Sequence, residues 1–370
     1  MPKKVLLLYI SEHSGHHCAS TAIERALHSL DSSVETMNLN SFNYTNPILE
    51  RVINRAYMGV VKRRPEIWEY LYDNPKVLRN TQKLRDMFHR FNTGKLKPLL
   101  DEFAPSAVVC TQAFPCGMVA DYKKSYGLAV PLVGVLTDYA PHSYWIYNNV
   151  DRYIVPSDET GKKLEGNGIE AQKIMSFGIP IESKFGHQNK DGLSLRRELK
   201  LDPYKPCVLI MGGTQGLGPI KDMVRLLSRS SLDIQMVIIC GTNKRLYRHF
   251  KREHFRKNVA VLPYVSNIDE YMQISDLIIT KPGGITTAEA LAKGLPMLIV
   301  HPLPGQEAMN TRFLLDEGVA VKAEAPEDVV VILEELLYNK NKLADMKRKA
   351  LLLAKPSSSV DIARMILEMI

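Results

Sequence analysis

The chain has 370 residues, which predicts two domains at about 100–200 residues each. Its composition of 45% hydrophobic and 24% charged residues is that of a folded globular protein and excludes a disordered or fibrous chain. Lysine and arginine outnumber aspartate and glutamate by 48 to 40. The resulting net charge of +8 favours an anionic partner: nucleic acid, anionic lipid or a phosphate-rich substrate.

The sequence carries no pattern typical of a membrane span, a secretory signal or a metal site. No apolar run approaches the roughly 18 residues that a span requires, and the run at 5–10 is too short for a signal peptide. The five cysteines form no CxxC pair and no metal-binding spacing with histidine. We therefore expect a cytosolic protein whose cysteines are reduced and buried.

Short β-branched runs alternate with helical stretches, which predicts an α/β fold of two doubly wound, Rossmann-like domains with parallel sheets. Such sheets bind ligands beyond the carboxyl ends of their strands, so a central cleft between facing domains is the expected site. We predict domains at 1–185 and 206–355, a linker at 186–205, and a helix at 356–370 that packs back on the first domain. The runs are 5–10, 107–110, 132–136 and 153–155, then 208–211, 235–239, 259–262, 277–279 and 297–300.

Most of the net charge falls in residues 50–97, which hold twelve bases against five acids. Trp68 and several tyrosines are interleaved with bases such as Arg63 and Arg64 in this helical-looking segment. Aromatic rings and cations in this mixture suit the surface of an anionic membrane. A helix pair with a solvated basic face explains the same pattern.

Two side chains in the first half lie shortly after apolar runs. His16 lies where the run at 5–10 meets a helix, and a histidine at that place can act as a general base or satisfy the backbone of its own loop. Asp138 follows the run at 132–136. It can orient a histidine, accept a proton, or begin an Asx turn.

Two glycine-rich turns in the second half predict phosphate binding. The loop GGTQGLG at 212–218 lets backbone N–H groups approach a phosphate, although it is neither a Walker loop nor a GxGxxG fingerprint. The segment KPGGIT at 281–286 opens a helix whose N-terminus favours a diphosphate. Glu289, one turn into that helix, is placed to accept a hydrogen bond from a ribose, or is a surface residue of the helix.

A further polar group follows the run at 297–300. Gln306, Glu307 and Asn310 fall on one face of the next predicted helix, because residues three and four apart are neighbours. Their amides and carboxylate can bind sugar hydroxyls, or the first two can cap the helix.

These motifs resemble those of glycosyltransferases with the two-domain GT-B architecture. KPGGIT at 281–286 followed by Glu289, PGQE at 304–307 and TDYAPHSYW at 137–145 are similar to the monogalactosyldiacylglycerol synthases and the processive diacylglycerol glucosyltransferases. The lipid II-forming GlcNAc transferase of peptidoglycan synthesis is a more distant relative. The family's GxGH loop falls on 13–16, with His13 in place of the first glycine.

The resemblance implies a role for each site residue, with the nucleotide in the second domain. His16, with Asp138, would activate the acceptor, and Arg63, Arg64, Trp68, His142 and Trp145 would contact the acceptor or the membrane. Tyr264 and Val265 would flank the uracil. The remaining donor contacts would be Gly213, Thr214, Gln215, Gly216, Lys281, Gly283, Gly284 and Thr286 at the diphosphate, Glu289 at the ribose, and Gln306, Glu307 and Asn310 at the sugar.

The implied activity is inverting transfer of a hexose from a UDP-sugar to a lipid hydroxyl, foremost that of diacylglycerol, at the inner face of the cell membrane. No metal, cofactor or nucleic acid is expected, because the UDP-sugar is itself a substrate and no DxD-like carboxylate pair is present. Glucose, galactose and GlcNAc remain open as the sugar. The alternatives are GlcNAc transfer to another lipid-linked acceptor, a UDP-sugar epimerase and a non-catalytic UDP-sugar sensor.

Overall fold

The predicted strands form two separate six-stranded parallel sheets in a computed structural model, which describes residues 3–12, 14–45, 94–187 and 191–370. Two compact units contain them. The first unit comprises Met1–Ser183, Leu303–Gln306 and Ser357–Ile370, and the second comprises Lys184–Pro302 and Glu307–Pro356. Arg63, Arg64 and Trp68 lie outside the described residues, as does most of the basic segment 50–97.

The sheet of the first unit has the strand order β2-β1-β3-β4-β5-β6. The chain moves from β1 to β2 and then returns to the other side of β1, so the direction of winding reverses between β1 and β3. The strands are β1 (Lys4–Tyr9), β2 (Glu35–Asn40), β3 (Ala107–Cys110), β4 (Leu132–Val135), β5 (Arg152–Ile154) and β6 (Ile174–Met175). The helices are α1 (Gly15–Leu30), α2 (Ser41–Thr45), α3 (94–103), α4 (Ala113–Tyr126) and α5 (Asp158–Gly166).

The sheet of the second unit has the order β12-β11-β10-β7-β8-β9, so its winding reverses between β7 and β10. The strands are β7 (Cys207–Met211), β8 (Gln235–Ile239), β9 (Val259–Leu262), β10 (Leu277–Thr280), β11 (Met297–Val300) and β12 (Ala320–Ala323). The helices that follow α5 are α6 (Gly192–Glu198), α7 (Ile220–Arg229), α8 (Lys244–Lys251), α9 (Ile268–Gln273), α10 (Gly284–Ala292), α11 (Gln306–Asp316), α12 (Asp328–Tyr338), α13 (Lys340–Leu353) and α14 (Ser358–Met369).

Burial of the interior strands explains the near-continuous apolar runs. Every residue of β3, β4, β7, β8, β10 and β11 is buried, as expected for parallel strands covered on both faces. Three strands that the sequence did not predict, β2, β6 and β12, lie at sheet edges and carry half-buried residues.

The C-terminal helix α14 belongs to the first unit. Its Ile362 and Ile366 are fully buried in one apolar cluster with Ile23 and Leu27 of α1. Ser358 also donates to the carbonyl of Ile179 at 2.7 Å. The segment 186–205, predicted as a linker, contains helix α6 and falls in the second unit. No helix of the described residues is both long and apolar enough to cross a membrane.

Candidate functional site

The candidate base His16 lies in the first turn of α1, at the point where the winding of the first sheet reverses. α1 follows β1, and Thr111 follows the neighbouring strand β3. The side chain of Ser14 caps α1 by accepting a hydrogen bond from the backbone N–H of His17. In an open α/β sheet this reversal is where ligands bind, beyond the carboxyl ends of the strands.

The backbone of Thr111 fixes the tautomer of His16. The Nδ1 atom of His16 lies 2.8 Å from the Thr111 carbonyl oxygen and 3.1 Å from the hydroxyl of Thr137. A carbonyl can only accept, so Nδ1 donates its proton and Nε2 carries the lone pair. The hydroxyl of Thr111 donates back to the carbonyl of His16 at 2.9 Å. Two hydrogen bonds to Thr111 therefore hold His16, and Nε2 is its basic nitrogen.

Burial is the largest influence on the protonation of this site. It lowers the pKa of His16, while the negative charge of Asp138 and the hydrogen bond to Thr111 act in the opposite direction. Burial and the neighbouring His16 together lower the pKa of His142 to about 4. Both imidazoles are therefore neutral at pH 7, and Asp138 is placed to stabilise an imidazolium that forms during reaction.

His142 has the opposite tautomer to His16. Its Nδ1 accepts a hydrogen bond from the backbone N–H of Tyr144 at 3.2 Å, so the neutral ring carries its proton on Nε2.

Trp145, predicted to contact the acceptor or the membrane, is only 5% exposed and packs in the core of the first unit. The structure gives Trp145 a packing role instead. The expectation of buried cysteines is correct for four of the five, but Cys18 is exposed on α1.

The glycine loop after β7 is held tightly by the loop after β8. A Cβ on Gly212 would lie 1.9 Å from the carbonyl oxygen of Leu217, and one on Gly216 would lie 2.3 Å from that of Cys240. The backbone N–H of Thr242 donates to the carbonyl of Thr214 at 2.8 Å. Glycine is required at both positions because backbone occupies the space of a side chain. The loop is consequently a fixed frame of backbone groups.

The PGG turn lies beside this loop, across the reversal between β7 and β10. Gly283 caps α10, and a Cβ added to it would meet no atom within 4 Å. Thr286 and Glu289 are half-buried in the first two turns of α10. An open space at a helix N-terminus is a suitable place for an anion, because unpaired N–H groups and the helix dipole favour negative charge.

Lys281 and Glu307 form an ion pair at this turn, with Nζ and Oε1 2.5 Å apart. Asn310, predicted to bind the sugar, is instead fully buried, and its amide donates to the carbonyl of Pro282 at 3.0 Å. It positions the turn rather than contacting a ligand. Gln306, the first residue of α11, is half-buried.

Tyr264 and Val265 follow β9, at the far edge of the same sheet. Tyr264 is 57% exposed and Val265 is half-buried. Sequence reasoning assigned no role to Thr111 and Thr137, which hold His16, or to Thr242, which holds the glycine loop. Their signal is that each follows a predicted strand closely, Thr111 and Thr137 by one residue and Thr242 by three.

Comparison with known proteins identifies two matching regions of the chain. A family model described as monogalactosyldiacylglycerol (MGDG) synthase matches residues 16–181, and the glycosyltransferase family 28 C-terminal domain matches residues 207–364. The processive diacylglycerol beta-glucosyltransferase of Bacillus subtilis (strain 168) is 31% identical over 94% of this chain and 90% of its own length. The chain belongs to this family of glycosyltransferases.

Solved structures show that the fold is the predicted GT-B architecture. MurG of Acinetobacter baumannii superposes with a TM-score of 0.65 at 16% identity, over 99% of this enzyme and 100% of that chain. The S. aureus MnaA–UDP co-structure has a TM-score of 0.65 at 13% identity, over 100% of this enzyme and 98% of that chain. The prediction of a glycosyltransferase with two Rossmann-like domains is confirmed.

Proposed function

We propose that the enzyme transfers a hexose from a UDP-α-sugar to the hydroxyl of diacylglycerol, with inversion, giving a β-glycosyl-diacylglycerol and UDP. The observation that carries this proposal is the neutral His16, whose Nδ1 is held by the Thr111 carbonyl so that Nε2 presents a lone pair. A general base of this kind activates a hydroxyl that is far too weakly acidic to ionise alone. The B. subtilis relative is named for glucosyl transfer to diacylglycerol.

In the proposed reaction the acceptor hydroxyl oxygen forms a bond to C1 of the sugar as the bond from C1 to the diphosphate oxygen breaks. The hydroxyl proton passes to Nε2 of His16, and the bonding electrons leave with UDP. The charge of Asp138 favours the imidazolium that results, since it already raises the pKa of His16. His142 presents an Nε2–H donor that suits an oxygen of the acceptor.

The diphosphate is assigned to the glycine loop at 212–218 and the N-terminus of α10. These groups supply backbone N–H donors and a helix dipole, which stabilise the negative charge that develops on the departing UDP. The proposal needs no metal and no cofactor. Tyr264, with 57% of its surface exposed, is assigned to the uracil, and Glu289 to the ribose.

The decisive experiment measures UDP release by the purified enzyme with UDP-glucose, UDP-galactose and UDP-GlcNAc, each with and without diacylglycerol in anionic mixed micelles. We expect release that depends on diacylglycerol and on one hexose donor, with a β-glycolipid product identified by mass spectrometry and NMR. Isomerised UDP-sugar without acceptor would identify an epimerase instead. UDP binding without release under any condition would identify a sensor.

We further propose that residues 50–97 bind the enzyme to the inner face of the cell membrane. The support is the excess of twelve bases over five acids, interleaved with aromatic residues. Binding to vesicles that contain anionic lipid should weaken as salt rises, because exposed charges are screened over about 10 Å at 0.1 M salt. Binding that is absent, or that does not respond to salt, would contradict this role.

A further inference from the structure

The ion pair of Lys281 and Glu307 joins the two parts of the proposed donor site. Lys281 follows β10 directly, and Glu307 lies in the first turn of α11. Their charged atoms are 2.5 Å apart, and the side chains are only 22% and 13% exposed. Partial burial strengthens the attraction between the charges compared with a pair in open water. Lys281 and Glu307 therefore remain paired with each other as long as no ligand is bound.

Lys281 also reaches the glycine loop. A Cβ built on Gly213 would lie 3.2 Å from Cε of Lys281, so the end of the lysine side chain packs against the backbone of this loop. An ammonium has three donors and no fixed plane, and its flexible stem lets it change partners. A diphosphate bound in the loop would bring more than one negative charge to this ammonium, whereas Glu307 offers only one.

We propose that the donor's diphosphate takes the Lys281 ammonium away from Glu307, and that the released carboxylate then accepts hydrogen bonds from hydroxyls of the hexose. This inference rests on the proposed function, since it assumes a nucleotide-diphosphate sugar as the donor. It makes recognition of the sugar conditional on recognition of the diphosphate. Glu307 is engaged by Lys281 until the diphosphate is in place.

The surrounding structure restricts the exchange to side chains. The buried amide of Asn310 ties α11 to the carbonyl of Pro282, next to Lys281 in sequence. The hydroxyl of Thr311 donates to the carbonyl of Glu307 at 2.7 Å. Because these contacts hold the backbones of both partners, the ammonium and the carboxylate can separate without moving the turn or the helix.

The test measures the affinity for UDP, and for the UDP-sugar that the enzyme uses, by titration calorimetry. The proteins are the wild-type enzyme, Glu307→Gln, Lys281→Met and the double variant. We expect Glu307→Gln to bind UDP about three- to tenfold more tightly, because UDP no longer breaks an ion pair. The same variant should lose part of the extra affinity that the hexose gives over UDP alone, because an amide oxygen accepts hydrogen bonds more weakly than a carboxylate. Lys281→Met should bind UDP about 10–100-fold more weakly, since a charge-assisted hydrogen bond is lost.

The double variant separates exchange from simple repulsion between Glu307 and the diphosphate. If Glu307 opposes UDP only by holding Lys281, Glu307→Gln has no effect on UDP affinity in the Lys281→Met background. If the two anions merely repel one another, the gain persists or grows in that background, and the exchange is wrong. An unchanged UDP affinity in the single Glu307→Gln variant would also overturn it, because the pair would then remain intact in the complex.

A control of similar distance but greater exposure is the pair of Lys205 and Asp233, whose charged atoms are 2.6 Å apart. These residues precede β7 and β8, so they lie at the amino ends of the strands, opposite the proposed site. Asp233→Asn should leave the affinity for UDP unchanged. The outcomes separate failure of the exchange from failure of the proposed function. A wild-type enzyme that binds no UDP contradicts both. If the enzyme binds UDP and transfers the sugar to the acceptor, but the variants do not show the predicted changes in UDP affinity, only the exchange is contradicted.

Discussion

The candidate site of the first unit is made of side chains, whereas that of the second is made mainly of backbone. In the first, His16, Asp138 and His142 lie close together beyond the strand ends, and burial lowers the pKa of both histidines. In the second, backbone fills the space that a Cβ would need at Gly212 and Gly216, and the PGG turn leaves open space beside Gly283 at the N-terminus of α10. The difference follows from the chemistry, because moving a proton needs a titratable group and binding a diphosphate needs many donors at close range.

The two regions are made rigid in different ways. The imidazole of His16 is fixed by the carbonyl of Thr111, so a main-chain group orients a reactive side chain. In the second unit a side chain orients main chain, since Asn310 holds the carbonyl of Pro282 in the turn. Substitutions of side chains should therefore act on turnover in the first unit, and substitutions at glycines should act on stability or UDP binding in the second.

Removing the base should have the largest effect. His16→Ala should lower kcat by about 10²–10⁴-fold while the affinity for UDP stays close to that of the wild type, because the base is used only in the transition state. Initial rates of UDP release with saturating donor and diacylglycerol measure kcat, and calorimetry measures UDP affinity. His28→Ala serves as the control, since His28 is an exposed residue in the last turn of the same helix. An unchanged kcat would remove His16 from the mechanism.

The second prediction tests the claim that backbone fills the space beside the glycine loop. Gly212→Ala should lower the free energy of unfolding of the second unit by about 3 kcal/mol or more, because its Cβ would collide with the backbone of Leu217 at 1.9 Å. Urea unfolding followed by circular dichroism measures this change. A variant as stable as the wild type would show that the turn opens easily and is no fixed frame.

The third prediction tests whether the open space beside Gly283 is used by the ligand. Gly283→Ala should change the free energy of unfolding by less than about 1 kcal/mol, because its Cβ meets no atom within 4 Å and its φ is −69°. The same methyl group should weaken UDP binding about tenfold if the diphosphate approaches this backbone closely, a loss of about 1.4 kcal/mol. Unchanged UDP affinity would place the diphosphate elsewhere.

Interior strands were predictable from the sequence, whereas three of the four edge strands in the described residues, β2, β6 and β12, were not. The runs at 107–110 and 208–211 are fully apolar because helices cover both faces of these strands. The edge strands β2 and β12 read ETMNLN and AVKA. Their mixed composition reflects partial exposure, which removes the continuous apolar signal.

The site residues divide in a similar way. Motifs that follow a strand, such as Asp138 and the PGG turn, could be located because parallel topology places strand ends at one edge of the sheet. The burial of Trp145 and Asn310 could not be predicted, since an aromatic ring or an amide has the same sequence signature whether it contacts a ligand or fills the core. The hydrogen bond between His16 and the Thr111 carbonyl could not be predicted either, because every residue has a backbone carbonyl and the sequence does not mark which one is used.

The smallest predicted effect concerns the electrostatic balance around His16. The acid limb of the dependence of kcat/KM on pH should lie below 6.5, the ordinary pKa of histidine, because burial lowers the pKa of His16. Asp138 opposes this effect, so Asp138→Asn should lower the pKa of His16 further and move the limb to lower pH. The plateau rate should fall by a smaller factor than in His16→Ala, since the imidazolium loses a stabilising charge but the base remains. Asp158→Asn, at an exposed position on α5, is the control and should leave the limb in place. A limb that stays in place in Asp138→Asn would mean that Asp138 does not act on His16 through its charge, and burial and the Thr111 carbonyl alone would then set the pKa of the base.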